Sequence, residues 1–320
     1  MSNPIYSFST VKREQSKASI VIEGLSGKGK SGLALILAKA LAGDWENVFN
    51  VDTENNSIQL YDGIPCSLGG KFENFKHANF SPEIKFRPSN YKAFKEAAIE
   101  AGAKALFFDS ITHAWNAEGG ILDMVAEKKQ NNTRYSKDSY AVWGDEEVVK
   151  EKQLLMELFR DHRVHMICTV RVKEKMEYEA DAATGKNKIV SLGEQQIMQA
   201  DLKYEPDLVL SMVTPGSKDT APVAHVVKSR YAILEVDKDY EFTPGLCEQI
   251  RKYLEEGTSP EELLEQQRQE YITGVKQFLD TNKNAVPLWK QLKADKGYAE
   301  TKLEEMPLDT IKEIFLAITN

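Results

Sequence analysis

EGLSGKGKSGLALILAKAL, residues Glu23 to Leu41, places four glycines and two lysines between Glu23 and Gly32, then runs into an apolar, proline-free segment rich in Leu and Ala. The spacing is that of a phosphate-binding loop: Gly24, four residues, then Gly29-Lys30-Ser31. Glycines let successive backbone N–H groups converge on one point without Cβ interference, and the helix that follows offers its positive dipole end to an anion. In this pattern Gly24, Leu25, Ser26, Gly27, Lys28, Gly29, Lys30, Ser31 and Gly32 cradle a nucleotide's phosphates, Lys30 reaches the β- and γ-phosphates, and the Ser31 hydroxyl ligates Mg²⁺. The preceding ASIVIEG, Ala18 to Gly24, reads as a buried strand, so the loop stands in the strand–loop–helix setting the motif requires. An ordinary strand-to-helix turn would need neither the spacing nor the lysine.

Bulk properties bound the rest. A chain of 320 residues, 42% hydrophobic, suffices for one large domain or two ordinary ones. Its apolar runs stop short of the roughly 18 to 20 residues that a bilayer span takes, and MSNPIYSFSTVKREQSK lacks the apolar region of a secretory signal. A cytoplasmic protein without a membrane partner is the expectation. Cys66, Cys168 and Cys247 have neither metal-type nor disulfide-type spacing and read as core thiols. With 41 basic and 49 acidic side chains the net charge is −8, which argues against coating duplex DNA by bulk electrostatics but leaves room for a local basic channel.

Further along, NVFNVDTENNS ends a second short strand, about Val48 to Asp52, in polar residues, and the stretch from Tyr61 to Pro88 reads as irregular with one short strand at most. SNYKAFKEAAIEAG carries a serine start and a glycine stop for a helix, KALFFDS is another apolar strand, DEEVVKEKQLLMELFR has helical periodicity, and VHMICTV is a third buried strand. Apolar strands alternating with helices predict a parallel sheet covered on both faces, an α/β architecture. After Thr169 the chain reads as a hairpin or long excursion turning at Thr184-Gly185, then two strands, DLVLSMV and APVAHVVKSRYAI, joined by a Pro-Gly turn. Thr243 to Gly257 closes this domain as a helix. GTSPEELLEQQ then opens a capped helix with Pro260 in its first turn, and only helices follow, which predicts domains at 1–257 and 258–320 with Trp289 and Leu292 in the second core.

Hydrolysis requires a second acid for the metal and a group that activates water. Asp109, ending ALFFD, is placed to hold Mg²⁺ from the C-terminal edge of a parallel strand, although an aspartate there also suits a helix cap. Glu54 and Asp52 compete as the water-polarising acid, and spacing does not separate them.

The order of elements resembles a RecA-type core, similar to the RecA-like ATPases of bacteriophages that act in single-strand annealing and recombination. VDTEN resembles the strand end that carries the catalytic glutamate of recombinases, which selects Glu54. LFFDSIT resembles the Walker B strand, with Asp109 and Ser110 in place, and ICTVRVK resembles the strand that ends in a γ-phosphate sensor, where this chain has Thr169 instead of the usual glutamine. VVKSRYAI resembles the late strand whose basic residues, here Lys228 and Arg230, reach a neighbour's γ-phosphate; one residue apart on a strand, they face the same side. Without such a neighbour the two read as charges protecting a strand edge.

The resemblance implies ATP with Mg²⁺, a homo-oligomeric ring or filament with ATP between subunits, and single-stranded DNA as partner. ATP rather than GTP also follows from TNKNA near Asn282, which lacks the aspartate of a guanine-reading motif. Two excursions on the DNA-facing side carry mixed charge and aromatics: Lys128, Lys129, Arg134, Tyr135 and Lys137, then Arg171, Lys173, Lys175, Tyr178, Lys186 and Lys188. The acids Glu174, Glu177, Glu179 and Asp181 dilute the second, and a solvated loop is the plain reading of the first. A replicative helicase or its loader, and a nucleotide-dependent regulatory protein that touches no nucleic acid, are the alternatives.

Overall fold

The computed structural model describes residues 10–80, 83–180 and 187–319, and only the backbone of 175–180 and 187–193. The turn expected at Thr184-Gly185, with Lys186, lies outside the described residues. Two compact units divide the chain: Ser16–Leu254, and Glu255–Asn320 together with Met1–Gln15.

The larger unit is an α/β fold, a mainly parallel sheet between helices. Its strands are β1 (Ser19–Gly24), β2 (Val48–Asp52), β3 (Lys76–Asn79), β4 (Ala105–Asp109), β5 (His165–Ala180), β6 (Asn187–Gln196), β7 (Leu208–Thr214), β8 (Val223–Ser229) and β9 (Asp239–Glu241). They lie in the order β3-β2-β4-β5-β1-β7-β8-β9, with β6 paired to β5 off that path. From β3 to β7 every pairing is parallel, whereas β8 and β9 continue antiparallel. β1 thus stands centrally, with parallel neighbours β5 and β7 on its two sides.

The period-2 alternation of the strands fills two cores. Ile20 and Ile22 of β1, Phe107 of β4 and Leu208 and Leu210 of β7 pack with Leu33 and Leu37 of α1 (Lys30–Ala42). Val21, Leu106, Phe108, Met166 and Val209 pack on the other face, with Tyr91 of α2 (Pro88–Glu100) and Leu155 and Phe159 among the helices there. Apolar strands buried on both faces are what parallel pairing with crossover helices produces.

Four more helices lie between β4 and β5. Of α3 (His113–Asn116), α4 (Ile121–Asn131), α5 (Thr133–Lys137) and α6 (Glu146–Arg160), the end of α4 and α5 replace the solvated loop expected at KKQNNTRYSK, and α6 is the helix expected at DEEVVKEKQLLMELFR. The Asn132 side chain accepts from the Arg134 N–H to start α5, and Lys128 is tied to Asp145 and Glu147 at 2.9 Å each, so local caps and ion pairs order this stretch. α7 (Pro244–Glu255) ends at the border of the two units, and its Cys247, Ile250 and Leu254 join the core beneath α1.

The smaller unit holds α8 (Pro260–Thr281), α9 (Val286–Asp295) and α10 (Leu308–Thr319). Ser259 caps α8 in a reciprocal box with Glu262. Its core gathers Ile272, Val275, Trp289, Met306, Ile311, Ile314 and Phe315, with Leu292 partly buried against them. Gly257 has φ +109, and a Cβ there would stand 2.3 Å from the Arg13 carbonyl oxygen, so the strand-like contact of residues 13–15 with Thr258 requires glycine.

Candidate nucleotide site

The C-terminal ends of β1, β2 and β4 converge on one cleft of about 350 Å³. β1 stops at Gly24, and the loop reverses into α1 through Gly29, whose φ of +85 makes a left-handed cap. A Cβ on Gly29 would lie 2.8 Å from Pro215 Cβ and 2.9 Å from Pro215 Cα, so both conformation and close approach demand glycine. The loop turns inward at Lys30, which is buried and donates from Nζ to the Leu25 carbonyl at 3.0 Å. Burial draws the Lys30 ammonium below its ordinary pKa, opposed by the charges of Asp109 and Glu54.

Next to it, the Ser31 hydroxyl donates to Asp109 Oδ2 at 2.5 Å, and the Thr169 hydroxyl donates to Asp109 Oδ1. Asp109 is 1% exposed. Burial pushes its carboxyl up to about 6, against the lowering by the Ser31 and Thr169 hydroxyls and with a further rise from Glu54 and Asp52. Ser31 and Asp109 present hard oxygens side by side; that donor set fits Mg²⁺, which takes few protein ligands and completes its shell with water and phosphate.

The two acids of β2 divide sharply. Asp52 is buried, and its carboxylate accepts the backbone N–H of Glu54 and, at 3.1 Å, of Ile58, so it caps the turn that follows β2. Glu54 lines the cleft, and its Oε1 accepts from Arg171 Nε at 2.8 Å. Burial raises the Glu54 carboxyl, but the Arg171 hydrogen bond and charge outweigh it and hold the group below its ordinary value. Behind them Thr53 Oγ1 meets His113 Nδ1 at 2.6 Å and accepts from the Ser110 N–H at 2.7 Å, locking the ends of β2 and β4 together.

Of the residues singled out from the sequence, Ser26, Gly27, Gly29, Lys30, Ser31, Gly32, Glu54 and Asp109 line the cleft. Gly24, Leu25, Lys28 and Thr169 do not line it: Gly24 makes room for Met212, Leu25 receives Lys30, Lys28 is exposed, and Thr169, fully buried, donates to Asp109. Lys228 and Arg230 are elsewhere. Ser229 pairs with Leu208 at the start of β7, so they sit at the sheet edge opposite the phosphate loop. Arg230 lies one residue beyond the end of β8, yet its side chain and that of Lys228 reach the same Tyr204 carbonyl. Lys228 Nζ donates to the carbonyls of Lys203, Tyr204 and Pro206, while Arg230 pairs with Asp207 at 2.9 Å and reaches the Tyr204 carbonyl.

Sequence reasoning missed three contributors. Arg171 had been grouped with the DNA-facing excursion, and nothing local links it to Glu54, which is 117 positions away. Tyr61 lies over Gly32, its phenol oxygen 3.6 Å from where a Cβ there would stand. Pro215 to Pro222 borders the cleft, although Pro215-Gly216 had signalled only a turn.

The sequence profile of the AAA domain family matches residues 16–240, most of the chain. The chain belongs to the AAA domain family. It is a P-loop ATPase-type fold by that membership and by the geometry just described. No curated protein sequence matches it. Among solved structures, a KaiC-like protein from the hyperthermophilic archaeon Pyrococcus horikoshii OT3 is similar with a TM-score of 0.40 and 16% identity, over 70% of this chain and 84% of that one. Within the AAA domain the matched span contains every residue of the cleft, from Ser26 to Pro222. Among the described residues no helix is long and apolar enough to cross a membrane.

Proposed function

We propose that this AAA domain binds ATP with Mg²⁺, hydrolyses it, and uses the cycle on single-stranded DNA in recombination or annealing of the bacteriophage kind. The observation that carries the ATPase reading is the convergence of Lys30, the Ser31–Asp109 pair and Glu54 on one sheet edge. Lys30 and the loop N–H groups bind the β- and γ-phosphates, and Ser31 with Asp109 holds Mg²⁺, whose charge would offset that developing on the phosphate oxygens. Glu54, held ionised by Arg171, accepts the proton of the attacking water. Thr169 orients Asp109 through its hydroxyl and acts on the phosphates only through it.

Support for a strand of nucleic acid comes from β5. Up to Arg171 it belongs to the central sheet; from Val172 it pairs antiparallel with β6, leaving the sheet at the catalytic edge. Arg171, on this boundary, touches the catalytic acid. The first excursion contributes less, since Lys128 and Tyr135 are engaged with Asp145. Measuring the ATPase rate with and without single-stranded and duplex DNA tests the reading. Stimulation by single strands is expected; a rate indifferent to both would remove nucleic acid from the function.

Assembly belongs to the same proposal: Lys228 and Arg230, too far around the sheet to serve their own phosphate loop, would act on the neighbour's ATP in a ring or filament. Arg230, its side chain 57% exposed, is the one placed to reach out. Mixing two inactive variants, Lys30→Ala and Arg230→Ala, should restore part of the parent ATPase, because some interfaces then combine an intact loop with an intact arginine. Absence of recovery in demonstrably mixed oligomers would return both residues to holding the Lys203–Asp207 segment.

A further inference from the structure

Beyond the phosphates, the cleft continues between two segments that no motif marks. Immediately after Tyr61 the chain forms a small hairpin: Gly63 donates to the Phe72 carbonyl at 2.8 Å, Phe72 to Ile64 at 2.9 Å, and Cys66 to Gly70 at 3.0 Å. Cys66 and Phe72 anchor it in the core beside α1, and Phe72 meets Trp45 and Tyr61 edge-on at 5.5 and 5.4 Å. Ile64, 45% exposed, and Pro65 are left bordering the cleft. The other segment, Pro215 to Pro222, follows β7 and is pinned against the phosphate loop at Gly29. In the sheet order β2 and β7 lie on opposite sides of β1, so the two segments reach the cleft from opposite sides, with Ile36 of α1 also lining it.

One polar atom stands out. Ser67 lines this part of the cleft, and its Oγ is buried without a hydrogen-bond partner among the described residues. A buried hydroxyl is ordinarily paired, and it can donate and accept at once. The acids that line the cleft, Glu54 and Asp109, both belong to the phosphate end, so the apolar end offers no carboxylate to take the N1–H and amino group of guanine.

We propose that the Ile64–Phe72 hairpin and the Pro215–Pro222 loop form the slot for the nucleotide's base, with the Ser67 hydroxyl bonding to the edge of adenine between apolar walls. The inference rests on the phosphate-loop reading above and adds the base to it. The apolar side chains on the slot's two sides, Ile64 and Pro65 against Pro215 and Pro222, favour a purine over a pyrimidine by area. The Ser67 hydroxyl supplies a partner to a ring nitrogen or to the exocyclic amine of adenine, and the lack of a carboxylate at this end withholds the partner that guanine's N1–H and amino group would take.

Isothermal titration of ADP, GDP and inorganic tripolyphosphate against the full chain separates base from phosphate. The parent should bind all three, ADP more tightly than GDP. Ser67→Ala should weaken ADP three- to tenfold, as loss of one hydrogen bond does, and leave tripolyphosphate unchanged. Ile64→Ala should weaken ADP and GDP together, again sparing tripolyphosphate, whose retained binding also reports an intact fold. Equal losses for ADP and tripolyphosphate, or no loss for ADP, would overturn the slot while leaving the phosphate loop standing. A parent that fails to bind tripolyphosphate, or binds it equally after Lys30→Ala, would overturn the phosphate-loop reading and the slot with it.

Discussion

Glu54→Gln is expected to bind MgATP with close to the parent's affinity and to hydrolyse it at least a hundredfold more slowly. The amide keeps the shape of the carboxylate and still accepts a hydrogen bond from Arg171, so the ends of β2 and β5 should stay where they are. What it cannot do is accept a proton, and general bases contribute roughly 10²- to 10⁴-fold. Because the water's proton moves only on the way to the transition state, the loss should fall on kcat and spare binding. Asp52 makes the comparison sharper. Asp52→Asn should cost stability and leave the chemistry comparatively intact, since that carboxylate serves the backbone N–H groups of Glu54 and Ile58. Parent-like turnover by Glu54→Gln would hand the role to another group.

Asp109→Asn should do two opposite things. It should remove Mg²⁺-supported hydrolysis, and it should raise the melting temperature of the ligand-free protein at pH 8. The Asp109 carboxyl, 1% exposed, is pushed up to about 6 from 3.8, which means that the fold holds the neutral form more readily than the unfolded chain does. For a group raised in this way, the folded state loses stability as pH rises through the interval between 3.8 and about 6, and above it the whole cost of the buried charge is present. That cost is on the order of 3 kcal/mol, or roughly 6–12 °C in a domain of this size. Asparagine can still pair with the Ser31 and Thr169 hydroxyls while carrying no charge. The gain should shrink toward pH 4, where the parent's carboxyl is neutral as well. Thermal melts at both pH values decide it: a parent that outlasts the variant at pH 8 would mean that the two hydroxyl donors already compensate the burial.

What could be read from the chain and what could not divides along sequence distance. The phosphate loop was legible because strand, loop and helix are contiguous from Ser19 to Ala42, and every requirement of the motif is local. The sheet was legible because strands such as ALFFD are apolar on both faces. Choosing Glu54 over Asp52 took a family resemblance; the physical reason, that Asp52 is spent on two backbone N–H groups, depends on how the turn at Ser57–Tyr61 closes. Thr169 to Asp109 spans 60 positions and Arg171 to Glu54 spans 117, and no periodicity encodes either contact. The hairpin around Ser67 is built from Gly, Pro and Cys with hardly any pattern to follow, so it read as irregular. Lys128 misled in the other direction, because a basic run in sequence is partly neutralised in space by Asp145 and Glu147.

The central place of β1 bears on how the protein is made. β1 leaves the ribosome before every other strand of its sheet, yet its parallel neighbours are supplied by His165–Arg171 and by Leu208–Ser211. At the usual 5 to 20 residues per second, the apolar Ile20, Val21 and Ile22 therefore wait roughly ten to forty seconds for both flanks. During that time α1 can shelter the face of Ile20 and Ile22, and Tyr91 of α2, made later, the face of Val21. A nascent chain that stops short of β7 also lacks Pro215, the residue against which Gly29 is pressed. In the reading proposed above, nucleotide would therefore add its binding energy only once the chain has been made through β7, and would not guide the earlier steps of folding.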